Sequence, residues 1–349
     1  NELLVRVEND AAVSGWLGDY WQAQRQPSMR GWFVSLDETL KQLYASLLQP
    51  VNERLRSLQG GARLILIPTR GLALLPLHAA WWEDNGARRY LCDDYGISYA
   101  PSLTVLQRCV EREADALDLT HSFGVCNPTL DLRYTEWECA EIERQWGVSY
   151  LRGAQASAAA VLEQAAGAHL LHFSCHCTAN LAEPLKSSLR LANDETLSLG
   201  NILQQLNLSQ NWLTILSACE TNQADFHQAN DEHLSLATGV VLAGAATVWS
   251  TLWAVNDASA ALLLIEAMRR LGDNGGDKPA ALQAAQQWLR TATVGDVIPL
   301  LNERIQQLPF NKLRTTLINL REQMLDAEHP QWMPFSHPYH WAAWQSVGS

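Results

Sequence analysis

The 349-residue sequence predicts an α/β protein with a mostly parallel central sheet flanked by helices, and three observations carry that prediction. Short apolar runs of strand length alternate with longer stretches of helical period, the pattern of βαβ units. Two of the runs, Ala168 to Cys177 (AHLLHFSCHC) and Leu213 to Glu220 (LTILSACE), stop abruptly at residues able to do chemistry. No internal repeat is evident, and no apolar run approaches the roughly 18 residues of a membrane helix.

Taken in order, Leu36, Leu40, Leu43, Leu47, Val51, Leu55 and Leu58 recur at threes and fours and predict an amphipathic helix, which Pro50 should kink or divide. Gly60 and Gly61 end it. Arg63 to Pro68 (RLILIP) is a β-rich run bounded by turn residues, and Leu91 to Pro101 predicts another strand before a helix from Ser102, its N-cap, to about Leu117. Ser122 to Asn127 opens the next unit, followed by a helix from Thr135 to Trp146, a strand at Val148 to Leu151 and an Ala-rich helix from Ala156 to Ala166. A strand then leads to His176, a turn-rich insertion spans Thr178 to Asn211, and a further strand leads to Cys219. The remainder predicts helices over His233 to Ala243, Asp257 to Leu271 and Lys278 to Thr291, with a strand at Ala246 to Trp253. Thr293 to Pro334 reads as a helical insertion.

Composition narrows the partners. With 25 basic against 37 acidic residues the net charge is −12, and no Lys/Arg cluster interrupts it, so direct nucleic-acid binding is not expected. Seven scattered cysteines without a secretory segment predict reduced thiols and a cytoplasmic location. The chain starts at Asn1 rather than Met, which predicts an upstream region. No Gly-rich phosphate loop follows a predicted strand, so the sequence offers no nucleotide cofactor site.

The two abrupt strand ends define the candidate chemistry. In open α/β sheets ligands bind outside the carboxyl ends of the strands, and two neighbouring parallel strands would present the Cys219 thiol and the His176 imidazole at one edge. The 43 residues between them leave room for a crossover connection. A free thiol near pKa 8.5 is mostly protonated at neutral pH, so a nucleophilic cysteine needs a base beside it, and His176 can serve. Cys175, His176 and Cys177 also invite a zinc reading, but successive strand residues alternate faces and cannot converge on one ion, so no metal or other cofactor is expected. His172, four residues before His176, reads as a hydrogen-bonded core histidine. Trp249 and Trp253 share a strand face and are candidates for a cleft wall or for the core. Asp231 and Glu232 fall in a loop bordering the edge, and Asp257 fits either a helix N-cap or a specificity position.

Several segments together resemble the CHAT domains, caspase-like proteins of the clan that contains separase, often joined to tetratricopeptide repeats. Arg63 to Pro76 is similar to the family's "LILIP…LLP" block, Ser98 to Leu103 (SYAPSL) to the block that follows, and Ala168 to Cys177 to its histidine segment. Ser217 to Thr221 (SACET) is similar to the cysteine segment, Glu232 to Ala245 to the helix ending in "AGA", Val248 to Asp257 (VWSTLWAVND) to the "SLW.V.D" strand, and His337 to Gly348 (HPYHWAAWQSVG) to the closing strand. The resemblance implies a caspase-like fold with an inactive-looking first half, here 61–118, and a catalytic second half, 119–349, carrying an insertion at about 293–334; 1–60 would be a helical lead-in. It implies a cysteine endopeptidase acting on a protein substrate, with Cys219 as nucleophile, His176 as base and acid, and the backbone amides of Cys177 and Cys219 as the oxyanion site. The strand ending at Asp257 would pair with substrate, and Asp231, Glu232 and Asp257 would form an acidic wall suited to a basic side chain. An upstream module or activating partner and a role in bacterial defence or cell death would also follow. Where the family usually has Gly directly after the histidine, this chain has Cys177. A catalytically decayed scaffold that binds other proteins is the alternative function.

Overall fold

A computed structural model describes residues 18–20, 22–24, 28–56, 63–113, 121–180, 183–217, 235–326 and 329–349. Its centre is an eight-stranded sheet. In chain order the strands are β1 (Arg63–Leu66), β4 (Gly96–Tyr99), β5 (Ser122–Cys126), β6 (Ser149–Arg152), β7 (Leu170–Ser174), β11 (Leu213–Ser217), β12 (Thr247–Thr251) and β13 (Trp344–Gly348), with β2 (Trp81–Asp84), β3 (Ala87–Tyr90), β8 (Cys177–Thr178), β9 (Ser188–Arg190) and β10 (Thr196–Ser198) lying outside the main sheet. They lie side by side as β1-β4-β13-β12-β11-β7-β5-β6. All neighbours are parallel except β12 and β13. Two parallel blocks thus run in opposite directions and meet at one antiparallel seam, Thr247 opposite Gly348 through Thr251 opposite Trp344.

Strands β5, β7 and β12 are buried along their whole length. That explains why they read as continuous apolar runs rather than alternating ones: helices cover both faces. The connection β5→β6 steps outward and β6→β7 steps back across β5, so right-handed crossovers put helix Thr135–Trp146 and helix Ala158–Ala165 on opposite faces. Helix Thr135–Trp146 packs on helix Asp257–Asp273, which packs in turn on helix Lys278–Thr291. Local chemistry fixes several of these ends. Gly147, at φ 67°, closes helix Thr135–Trp146 with its amide on the Glu143 carbonyl, and Asp277 caps helix Lys278–Thr291 through the Ala280 amide. Ser102 caps helix Leu103–Glu113 as predicted, its Oγ accepting from the Val105 amide at 3.2 Å.

Three local expectations are corrected, while the helical character expected of 293–334 is found. The long N-terminal helix runs Met29–Leu43 and Gln49–Arg56, joined by a π-helical turn, Tyr44–Leu48, in which the Gln49 amide reaches the Tyr44 carbonyl; the wider turn accommodates Pro50 without a break. Leu91 to Pro101 is not one strand, because Leu91–Asp94 forms a helical turn before β4. The preceding hairpin, β2 (Trp81–Asp84) with β3 (Ala87–Tyr90), turns on Asn85 and Gly86, both at positive φ, the Asn-Gly signature of a tight hairpin. The stretch after His176 is also ordered. In it β8 (Cys177–Thr178), β9 (Ser188–Arg190) and β10 (Thr196–Ser198) form a small antiparallel sheet, followed by helix Leu199–Gln205. The predicted insertion is a pair of helices, Val294–Gln307 and Lys312–Leu325.

The two blocks of the sheet depend on how β13 is held. Gln286 of helix Lys278–Thr291, 4% exposed, donates its amide to the carbonyls of Trp341 and Trp344 at 3.0 and 2.9 Å. Gln286→Leu keeps the volume but leaves both carbonyls without that donor, and should cost about 2–6 kcal/mol, at roughly 1–3 kcal/mol per buried unsatisfied group. Equilibrium urea unfolding, read as a drop in midpoint at unchanged slope, checks this.

Candidate active site

Strands β7 and β11 lie next to each other in parallel, paired from Leu213 opposite Leu170 to Ser217 opposite Ser174. His176 follows the end of β7 by two residues, and Cys219 follows the end of β11 by two. The sequence therefore brings its two candidate-bearing strands to one sheet edge in matched register. Cys219 itself, with Asp231 and Glu232, lies outside the described residues.

The His176 side chain is 30% exposed, and its Nε2 lies 3.0 Å from Asp131 Oδ1. With Nε2–H donating to the carboxylate, Nδ1 is the nitrogen left to take a proton. Asp131 had no place in the sequence reading. Its loop is built from both ends. Asn127, at φ 47°, receives the Leu132 amide on its Oδ1 and gives its Nδ2 to the Leu132 carbonyl, while its own amide donates to the Ser174 carbonyl of β7 at 2.9 Å. At the other end Asp257 Oδ2 accepts the amides of Arg133 and Tyr134 at 3.0 and 3.1 Å. Thr129 Oγ1 donates to Asp131 Oδ1 at 2.5 Å, and this hydroxyl first and His176 second hold the Asp131 carboxyl below the usual carboxylate range.

Asp257 is thereby a tether of this loop rather than the helix cap. The cap is Asn256, which has the extended backbone a cap requires and accepts the Ser259 amide at 3.1 Å. Asp257 is the first helical residue and turns to the Asp131 loop. Trp249 and Trp253, at 0% and 1% exposed, are core rather than cleft. Trp253 donates its Nε1 to the Tyr339 carbonyl and meets Trp32 edge to face at 5.7 Å. Cys177 pairs with Leu189 in β8 and is not among the residues with positive φ, so a side chain there imposes no backbone strain.

Beneath this edge lies a buried polar row, also absent from the sequence reading except for His172. Glu138, on helix Thr135–Trp146 and 2% exposed, accepts Ser174 Oγ on Oε1 at 2.6 Å and Ser217 Oγ on Oε2 at 3.0 Å. Its Oε1 also lies 3.0 Å from His172 Nε2. His172, 0% exposed and a core histidine as expected, meets the Tyr150 hydroxyl at Nδ1, 2.6 Å away. Gly124 makes that contact possible. It stands between Tyr150 and His172 in the register, and a Cβ there would fall 2.4 Å from Tyr150 Cε1. A signal for Glu138 was present in the sequence, where it adjoins Cys139 and stands four before Ile142, on the buried side of its helix.

Among the described residues Glu138, Cys139 and His172 bring metal-capable atoms within 4.8 Å of one another. The set suits hydrogen bonding better than an ion. The carboxylate is engaged by two serines, and burial pushes the Cys139 thiol well up, away from the thiolate a metal needs. The six cysteines among the described residues are thiols rather than disulfides. No helix among the described residues is long and apolar enough to cross a membrane.

The sequence model of the CHAT domain matches residues 37–349, and the chain belongs to that family. No curated protein matches it. Among solved structures it is similar to the Arg-specific cysteine proteinase gingipain R, at 9% identity and a TM-score of 0.47, covering 97% of this chain and 74% of that one. It is also similar to separase in the Saccharomyces cerevisiae separase–securin complex, at 14% identity and a TM-score of 0.49, covering 70% of this chain but 16% of that one. The mostly parallel central sheet flanked by helices is the architecture predicted from the sequence.

The loop contacts make a distinction between two substitutions at Asp257. Burial holds its carboxyl above the usual carboxylate range. An amide oxygen can still accept both backbone amides without the buried charge, whereas Asp257→Ala loses both bonds. Asp257→Asn should therefore melt at or above wild type at neutral pH, and Asp257→Ala below it. Because the folded pKa is raised, the cost of the wild-type charge is relieved as pH falls through it. The margin of Asp257→Asn over wild type should shrink on acidification, as thermal melts across pH will show.

Proposed function

We propose that this CHAT-family protein is a cysteine endopeptidase in which Cys219 is the nucleophile and His176 the base and then the acid. The observation that carries the reading is the matched parallel register of β7 and β11, whose ends precede these two residues by the same short interval. In this mechanism His176 Nδ1 takes the thiol proton as the sulfur attacks a peptide carbonyl, and backbone amides, those of Cys177 and Cys219, hold the oxyanion. His176 returns the proton to the leaving amine, and a thioester remains. Water, deprotonated by His176, then attacks the thioester; collapse of that adduct breaks the carbon–sulfur bond and releases the acid. Asp131 keeps the imidazole oriented with Nδ1 toward the reaction. An acidic wall from Asp231 and Glu232 would favour a basic side chain in the substrate. Control by an upstream module, such as a tetratricopeptide-repeat region, or by an activating partner belongs to the same reading, as does a role in defence or cell death within the cytoplasm.

Cys177 in place of the family's usual glycine favours a second reading, a protein-binding scaffold without catalysis. A peptide-based electrophile separates the two. Modification at Cys219, mapped by mass spectrometry, should vanish in Cys219→Ala and fall at least a hundredfold in His176→Ala, since general-base catalysis is typically worth about 10²–10⁴. An inert Cys219, with the full chain and its candidate activating partner both present, would leave the scaffold. Asp131→Asn should retain labelling but slow it roughly tenfold, less than for a buried orienting carboxylate because Asp131 is 60% exposed and its pairing is screened.

A further inference from the structure

We infer that Glu138 is a positioning residue: its buried carboxylate clamps the carboxyl ends of β7 and β11 and so sets the separation of His176 and Cys219. The inference rests on the peptidase reading above. Ser174 and Ser217 are register partners and the last residues of their strands. His176 and Cys219 each follow two residues later in the sequence. At these last paired residues one side chain spans both strands, with a serine on each carboxylate oxygen.

A carboxylate has no proton to give, so every group around it must donate. Two serine hydroxyls do, and His172 Nε2 stands at ion-pair distance, with the Tyr150 hydroxyl beyond it on Nδ1. Each serine rotor is therefore pinned. Stability alone is a poor explanation for such a group. Burying a carboxylate in a core is unfavourable, and an apolar side chain of similar volume would pack at lower cost. Position explains it better. Ser174 is also the residue whose carbonyl receives the Asn127 amide at the start of the Asp131 loop. The same node thus fixes the depth of β11, the end of β7 and the origin of the loop that faces His176.

Misplacement of a reacting group by about 1 Å can cost on the order of a hundredfold in rate. A partial loosening, through one serine, should cost less. The test is Cys219 alkylation by iodoacetamide, mapped by mass spectrometry across pH, alongside thermal melts of the full chain. Ser217→Ala should react about tenfold more slowly at neutral pH, with its pH midpoint moved up toward the ordinary thiol near 8.5, as the base no longer meets the sulfur. Its melting temperature should stay near wild type, and Ser217→Thr, which keeps the hydroxyl, should restore both rate and midpoint. A merely structural role would move the melt without moving the midpoint. Glu138→Gln should behave as Ser217→Ala or worse; if it fails to fold, the serine variants decide. Ser217→Ala and Ser174→Ala with wild-type rates and midpoints would overturn the clamp while His176→Ala still slowed alkylation. If His176→Ala matched wild type at every pH, the peptidase reading itself would fall, and the clamp with it.

Discussion

The parallel pairing of β7 with β11 is the constraint on which the site depends. Both strands are almost entirely buried, and both are interior members of a sheet covered on its two faces, so neither can slide without moving buried side chains into the wrong layer. Such a pair is stiff where its backbone bonds persist and free where they stop. The residues proposed for the chemistry follow the last paired residue of each strand by two positions in the sequence. Polar contacts gather there: Ser174 and Ser217 on Glu138, the Asn127 amide on the Ser174 carbonyl, and Asp131 on His176.

The same layout explains what the sequence could disclose. Strands buried on both faces are conspicuous as apolar runs, and helices Thr135–Trp146 and Lys278–Thr291 fell on their predicted bounds because Gly147 and Asp277 are local stop and start signals. His176 was legible as the polar terminus of such a run. Asp131 was not, and Glu138 was legible only as a carboxylate on the apolar side of its helix, since each acts through a partner 36 to 79 residues away and neither interrupts a local pattern in a way that names its role. Asp257 illustrates the limit of local rules. An acidic residue at a helix start suggests a cap, yet Asn256 takes that position by its backbone geometry and frees Asp257 to hold a loop more than 120 residues away in sequence. The Trp pair was left open between cleft and core for a related reason, because periodicity reports a shared face without saying whether that face is solvent or core, and burial places both in the core.

Gly124 shows the reverse case, in which a buried contact depends on a missing side chain. A residue that reads as a mere flaw in a strand leaves the gap across which Tyr150 reaches His172. The polar row is continuous because one position in it is empty of side chain, and the apolar strands around it seal the row from water.

The antiparallel seam bears on how the molecule comes to exist. Strand β13 joins β4, some 250 residues earlier in the chain, to β12, and it is the last strand in sequence order. During synthesis the block containing β7 and β11 can assemble before β13 has been made, but it then carries β12 as an open edge, and β4 carries another. The register of the whole sheet is thus completed late and over a long separation, the kind of contact that is slow to form. A chain interrupted before residue 344 would present two unpaired edges to its surroundings, so incomplete copies are marked for aggregation or disposal by the same strand order that unites the finished sheet.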